Sequence, residues 1–377
     1  EEDELKFVFT DLGLIVPTAY VLREGDFRLY LNQQFPLEKG PLEKGSGNQN
    51  YAALFNLGFT DSSMFSGFFS IADDPLYKKI NSVEVQPENK WLSIGTSFKW
   101  KFLERNNFKV AFDNSFELWQ VKSGGCMGIG CKNESSNIFD KSLRKADNTN
   151  IIGTTSLPLT WDLYKKTNFS LSPRITFLPN KQSVGNILGE FYGVNYGLGI
   201  GVSHIFHPKL SLYASNYFPI GGGDNTFDEN LNFKKSIIYD YGFNYALDTK
   251  ISFRTYISNS FGGTPSTSIL TIPSSNEPIL GTRIIYTPSG YEFSLDKKNS
   301  SAKFQSGLSV STTNLLGTNV NYFDISYDSF GSYWTTYRVG LSKTFDFEAV
   351  SGSASNNVDQ KNKYVKDYLN DNEQTLR

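Results

Sequence analysis

Histidine, cysteine and methionine are almost missing from this sequence, with 2 residues of each. So little imidazole and thiolate leaves scant material for a histidine-based active site or a Cys/His cluster, and no metal or cofactor is expected. Neither charge is in clear excess, since 36 Lys and Arg face 38 Asp and Glu. A nucleic-acid binder ordinarily carries a basic excess or stripe, so that partner class is excluded. No run approaches the about 18 consecutive apolar residues of a transmembrane helix. Helical periodicity is nearly absent, and only residues 359–370 suit a short helix. The mean hydropathy of -0.35 does not exclude a membrane, because a spanning strand hides half its side chains from lipid.

What is present is aromatic residues, 15% of the chain, and they alternate. Between Trp91 and Val121 one face carries Leu92, Ile94, Phe98, Trp100 and Phe102, then Phe108, Val110, Phe112, Phe116 and Leu118. The same period of two recurs in 27–35, 157–163, 169–177, 192–202, 237–247 and 333–347, which marks β-strands. The other face carries the charge: Arg28, Lys99, Lys101, Lys109, Asp113, Glu117, Asp162, Arg174, Asp240, Arg254, Arg283, Asp324 and Arg338. A charge facing lipid at mid-bilayer costs a few kcal/mol, so these thirteen are expected to line a watery lumen. Opposed acid and base there would orient solutes and set selectivity, or would simply fill the barrel with ion pairs.

Connections alternate in length. Short turns fall near 61–62, 104–107, 165–167, 207–208 and 248–250; long polar segments fall near 37–49, 74–90, 122–149, 180–190, 220–234 and 262–279. A soluble sandwich has no reason to sort its loops this way, whereas an up-and-down transmembrane barrel does. The pattern predicts an all-β fold: an antiparallel transmembrane β-barrel of about 16 strands, with 12–14 as the alternative. The expected organisation is a periplasmic or plugging segment over 1–25, the barrel over 26–347 and a disordered polar tail over 348–377. The start, EEDE, reads as a mature end after removal of a leader or as a shortened chain.

Smaller motifs add little. Cys126 and Cys131, in GGCMGIGC, have the spacing of a small disulfide loop in an oxidising compartment; two free thiols or a weak metal pair are the alternatives. Gly197, Gly199 and Gly201 lie in a strand with no helix after it, so they make room on the lumen face rather than hold a dinucleotide. Asp224, Asn225, Asp228 and Glu229 do not follow a calcium-loop pattern and read as a solvated loop. His204 and His207 read as rim residues beside a turn. With no nucleophile elbow in the sequence, no catalytic residue is assigned and no enzymatic activity is expected. The tandem PLEKGPLEKG at 36–45 reads as a tolerated loop duplication.

Residues 11–35 resemble the opening of bacterial outer-membrane barrels of the exopolysaccharide-biosynthesis group, through Gly13, Leu14, Ile15, Pro17, Thr18, Ala19 and Gly25. Val16 stands where that pattern often has Thr. The overall style also resembles a cyanobacterial outer-membrane barrel. The resemblance implies an outer membrane of a Gram-negative-type bacterium and passage of polysaccharide or small solutes; it carries over no catalytic residue. Such barrels usually end on an aromatic strand, whereas this chain continues past Phe345 and Phe347. The expected function is a channel passing small hydrophilic solutes or ions by diffusion. Its partners would be outer-membrane lipid and small solutes or oligosaccharide, with an oligomer in scope. The alternatives are an assembly barrel of polysaccharide export and a soluble all-β carbohydrate-binding protein.

Overall fold

The structure, a computed structural model, describes residues 11–12, 15–36, 49–73, 89–123, 146–164, 166–180, 182–184, 187–189, 192–207, 209–228, 230, 232–247, 250–271, 278–288, 321–327, 333–340, 346–353 and 372–376. The chain divides into two units, Glu1–Leu295 and Asp296–Arg377.

In the first unit thirteen strand segments form one antiparallel sheet. They are β1 (Phe27–Pro36), β2 (Gln49–Thr60), β3 (Ser63–Asp73), β4 (Asn89–Arg105), β5 (Phe108–Ser123), β6 (Ala146–Ser156), β7 (Leu159–Tyr164), β8 (Thr167–Phe177), β9 (Val194–His207), β10 (Leu210–Gly222), β11 (Ile238–Ala246), β12 (Ile251–Ser258) and β13 (Ile279–Tyr286). Sequence neighbours pair around the sheet, and β13 returns to β1 with Ile279 opposite Pro36 and Tyr286 opposite Leu29. The sheet is therefore a closed barrel with no free edge, which removes unpaired backbone groups from the wall.

Both β6 and β7 lie between β5 and β8, so they make one stave and the barrel has twelve. Pro158 causes the break, because it has no N–H to give to the ladder. Its carbonyl still accepts from the Ala111 N–H at 2.9 Å, while the Leu157 N–H donates to Pro173 O at 3.0 Å. All the short turns lie at one rim and all the long loops at the other. The β4–β5 turn needs a backbone φ of 29° at Asn106, in the left-handed region that asparagine tolerates.

The burial pattern is inside-out. On β1, Arg28, Tyr30, Asn32 and Gln34 are buried, whereas Leu31 and Phe35 are exposed. On β4, Ser93 and Lys99 are buried while Ile94, Phe98, Trp100 and Phe102 are exposed. This is what a sheet shows when lipid, not a core, receives its apolar face.

Two segments occupy the interior. Residues 15–22 run inside the wall, with Ile15, Val16, Thr18, Ala19, Val21 and Leu22 buried. From the long-loop rim, residues 259–271 fold inward and include a 3₁₀ turn at Thr267–Ile269. At Gly58 the first insert meets the wall so closely that a Cβ would overlap the Arg23 carbonyl.

The expected strand count of about 16 is corrected to twelve staves, within the alternative of 12–14. The segments 291–296 and 303–313, and the helix over 359–370, lie outside the described residues. The last two expected staves belong elsewhere. The second unit holds its own four-stranded sheet of β14 (Asn321–Tyr327), β15 (Tyr333–Gly340), β16 (Asp346–Ser353) and β17 (Asn372–Leu376), paired in that order. Alternation identifies a strand but not the sheet that it joins, which is why these were counted with the barrel. The polar tail also contributes strands where disorder was expected: β16 and β17 pair from Ala349 opposite Leu376 to Ser353 opposite Asn372.

Candidate functional site

The functional surface of such a wall is its interior. Eleven of the thirteen expected lumen charges point into it: Arg28, Lys99, Lys101, Lys109, Asp113, Glu117, Asp162, Arg174, Asp240, Arg254 and Arg283. Asp324 and Arg338 lie on β14 and β15 of the second unit. Lys99 Nζ stands 3.5 Å from Asp113 Oδ2, on directly opposed positions of β4 and β5. Lys101 pairs with Glu104 at 2.5 Å, and Lys109 reaches Asp162 at 2.6 Å. Arg254 and Arg283 face each other across β12 and β13, an unfavourable like-charge register. Their guanidinium groups lie over aromatic rings, Arg254 4.9 Å from the Tyr213 centroid and Arg283 5.4 Å from that of Tyr30. Arg254 Nε also donates to Asn244 Oδ1 at 2.7 Å.

The inserts are fastened to these wall charges. The Glu117 carboxylate accepts from Ser93 Oγ at 3.0 Å and Ser115 Oγ at 3.1 Å on the wall. From the loop it accepts from Thr264 Oγ1 at 2.5 Å and the Ser266 N–H at 2.6 Å. Neutral donors thus satisfy a fully buried carboxylate. Arg174 serves both inserts, donating from Nη1 to Ile15 O at 3.2 Å and from Nη2 to Ser268 Oγ at 3.3 Å. Near the short-turn rim, the Tyr20 hydroxyl bonds Asp162, and its ring lies 5.0 Å below Lys109 Nζ. Burial, then the Asp162 hydrogen bond and charge, push the Tyr20 hydroxyl pKa far above the usual tyrosine range.

Towards the long loops the interior turns apolar. Trp91 and Trp119 meet edge-on at 5.3 Å, Phe261 of the inserted loop meets Trp91 at 5.2 Å, and Tyr192 meets Phe233 at 5.6 Å. Between the two inserts and the wall lies a chamber of about 70 Å³, bounded by Pro17, Gly263 and Pro265 and by Lys99, Asp113 and Arg174.

The glycines of β9 do make room. A Cβ at Gly197 would run into the Tyr217 ring, and one at Gly199 would come within 3.1 Å of Val16. His204 sits on the outer face, where Nδ1 meets Thr167 Oγ1 at 2.8 Å, so it is not placed to act as a lumen base. Asn225 is structural: it bonds Ser236 and the Ile269 carbonyl. Asp228 is held by the Asn230 and Asn232 N–H groups. Among the described residues no cluster of acidic, histidine or cysteine side chains could hold a metal. Glu229, Cys126 and Cys131, with the expected disulfide, lie outside the described residues.

A sheet closed on itself, apolar outside and charged within, defines a membrane-spanning β-barrel, and the chain is an outer-membrane protein of that class. Solved structures similar to it include the NanC porin, at 10% identity over 68% of this chain and 98% of that one, TM-score 0.40. An outer-membrane channel from Pseudomonas putida F1 gives 11%, 71% and 97%, TM-score 0.39. Outer membrane phospholipase A from Escherichia coli gives 10%, 71% and 94%, TM-score 0.37. No family model matches the sequence, and no curated protein matches it. One expectation is corrected by these findings. An enzyme stands beside the channels, so the expectation that the chain is not an enzyme is withdrawn. Nothing among them supports an exopolysaccharide motif or a cyanobacterial origin.

Proposed function

We propose that the barrel is a channel for small hydrophilic solutes or ions and that its two inserts hold it closed. The observation that carries this reading is the way both inserts are held. They are fixed to a charged, hydroxyl-rich wall by reversible hydrogen bonds at Glu117 and Arg174. A wall built only to be filled has no need of so many ionic groups, each of which costs desolvation when water is absent. Seven of the eleven inward charges are basic, which favours anions in the path.

Planar-bilayer recording tests the proposal. Discrete conductance steps are expected from the wild type, longer or more frequent when Glu117→Ala releases the loop. Reversal potentials should indicate anion preference, reduced by Lys99→Glu with Lys101→Glu. A barrel that stays silent both as wild type and with the loop released overturns the reading. Passage of an oligosaccharide, the finer reading from the sequence, requires both inserts to leave the lumen. Oligomer formation is read from the mass of the detergent-solubilised protein.

A further inference from the structure

The chamber between the inserts contains an unmet demand. Arg174 is only 4% exposed, and two of its guanidinium nitrogens are used on Ile15 and Ser268. Its Nε, also buried, has no hydrogen-bond partner among the described residues. A buried guanidinium N–H left without an acceptor is costly, so an acceptor belongs there. The nearby carboxylates are engaged elsewhere. Asp113 faces Lys99 at 3.5 Å, and Glu117 already accepts four neutral donors. Ser66, Ser97, Ser115, Thr154 and Ser156 add hydroxyls to the chamber lining. The volume of about 70 Å³ admits a group with a handful of heavy atoms.

We propose that this chamber is a binding site for a small oxyanion, a carboxylate or phosphate group whose oxygens accept from Arg174 Nε, Lys99 Nζ and the surrounding hydroxyls. Carboxylate and phosphate suit a guanidinium because its N–H groups fork towards two oxygens. The ligand would touch the wall, the first insert at Pro17 and the loop at Gly263 and Pro265 together. This deepens the channel reading by naming the solute group that would pause in the path.

Calorimetric titration of the full chain, folded in detergent, with inorganic phosphate and separately with acetate tests the site. Saturable one-to-one binding of at least one probe is expected. It should weaken tenfold or more in Arg174→Lys, which keeps the charge but loses Nε. It should weaken similarly in Lys99→Gln, which removes the ammonium that faces the chamber beside Asp113; heat-modifiable gel migration verifies that both variants fold. No saturable uptake by the wild type, with water alone serving Nε, overturns the site, as does an unchanged dissociation constant in either variant. Binding is read without a membrane, so the two readings separate. A barrel that binds phosphate but never conducts keeps the site and loses the channel; one that conducts without saturable binding loses only the site.

Discussion

The Ser266 N–H donates to Glu117 Oε1 at 2.6 Å, and this bond ties a loop from one side of the barrel to the wall across from it. Residues 259–271 leave the rim between β12 and β13, whereas Glu117 stands on β5, half the circumference away. Removing the carboxylate therefore acts on the loop at a distance along the chain. In Glu117→Ala four donors lose their acceptor, at about 1–3 kcal/mol for each one left buried and unmet. The loop should become cleavable by protease from its own rim while the barrel still resists heat on a gel. Unchanged protection would mean that Glu117 does not anchor it.

Gly58 and Gly221 make a contrasting pair. A Cβ at Gly58 overlaps the backbone of Arg23, which cannot rotate aside, whereas one at Gly221 has nothing nearer than 3.9 Å. Gly58→Ala should lower stability by about 1–3 kcal/mol through overpacking. Gly221→Ala should stay within roughly 0.5 kcal/mol of the wild type. Urea unfolding in lipid vesicles measures both, and equal midpoints would remove the claimed close approach.

Lipid on the outer face has its own signature, which is dependence on depth. Phe116 is 61% exposed and sits mid-stave on β5, whereas Phe206, 60% exposed, lies at the short-turn rim. Phe116→Arg should cost about 2–4 kcal/mol and Phe206→Arg at most about 1 kcal/mol. If the two cost the same in vesicles, the apolar face does not meet a bilayer.

Alkaline pH should loosen the first insert. The Tyr20 hydroxyl has a raised pKa while docked against Asp162, so docking binds its proton more tightly than release does. That stabilisation is fully present below the ordinary tyrosine value of about 10 and is lost as pH rises above it. A fluorophore on the insert should report release in that range, with the pH dependence abolished in Tyr20→Phe. A transition that survives this substitution assigns it to another group.

The staves were legible because period two and the alternation of loop length are local properties. All twelve can be read from Phe27 to Tyr286, including the polar register that places Lys99, Lys101 and Arg174 inside. What escaped was long-range. Nothing local distinguishes Tyr322–Asp324 from a stave, although it pairs within another sheet. Residues 259–271 are small and polar and read as an ordinary long loop; their partners Ser93, Ser115 and Glu117 are over a hundred residues away. One signal was present: Trp91 and Trp119 occupy the inward register, where a watery lumen has no use for indoles, and they mark where the interior is packed.

The seam between β1 and β13 has a consequence for the order of assembly. The other wall pairings join staves that follow one another in sequence, whereas this seam joins the two ends of the barrel across nearly the whole first unit. Closing so long a loop carries the greatest entropic cost, so the seam zips last. The insert at 15–22 directly precedes β1 and must be inside before the final stave docks. The barrel is thus closed around its own leading segment, and the last eight residue pairs to form, from Ile279 with Pro36 to Tyr286 with Leu29, act as the latch.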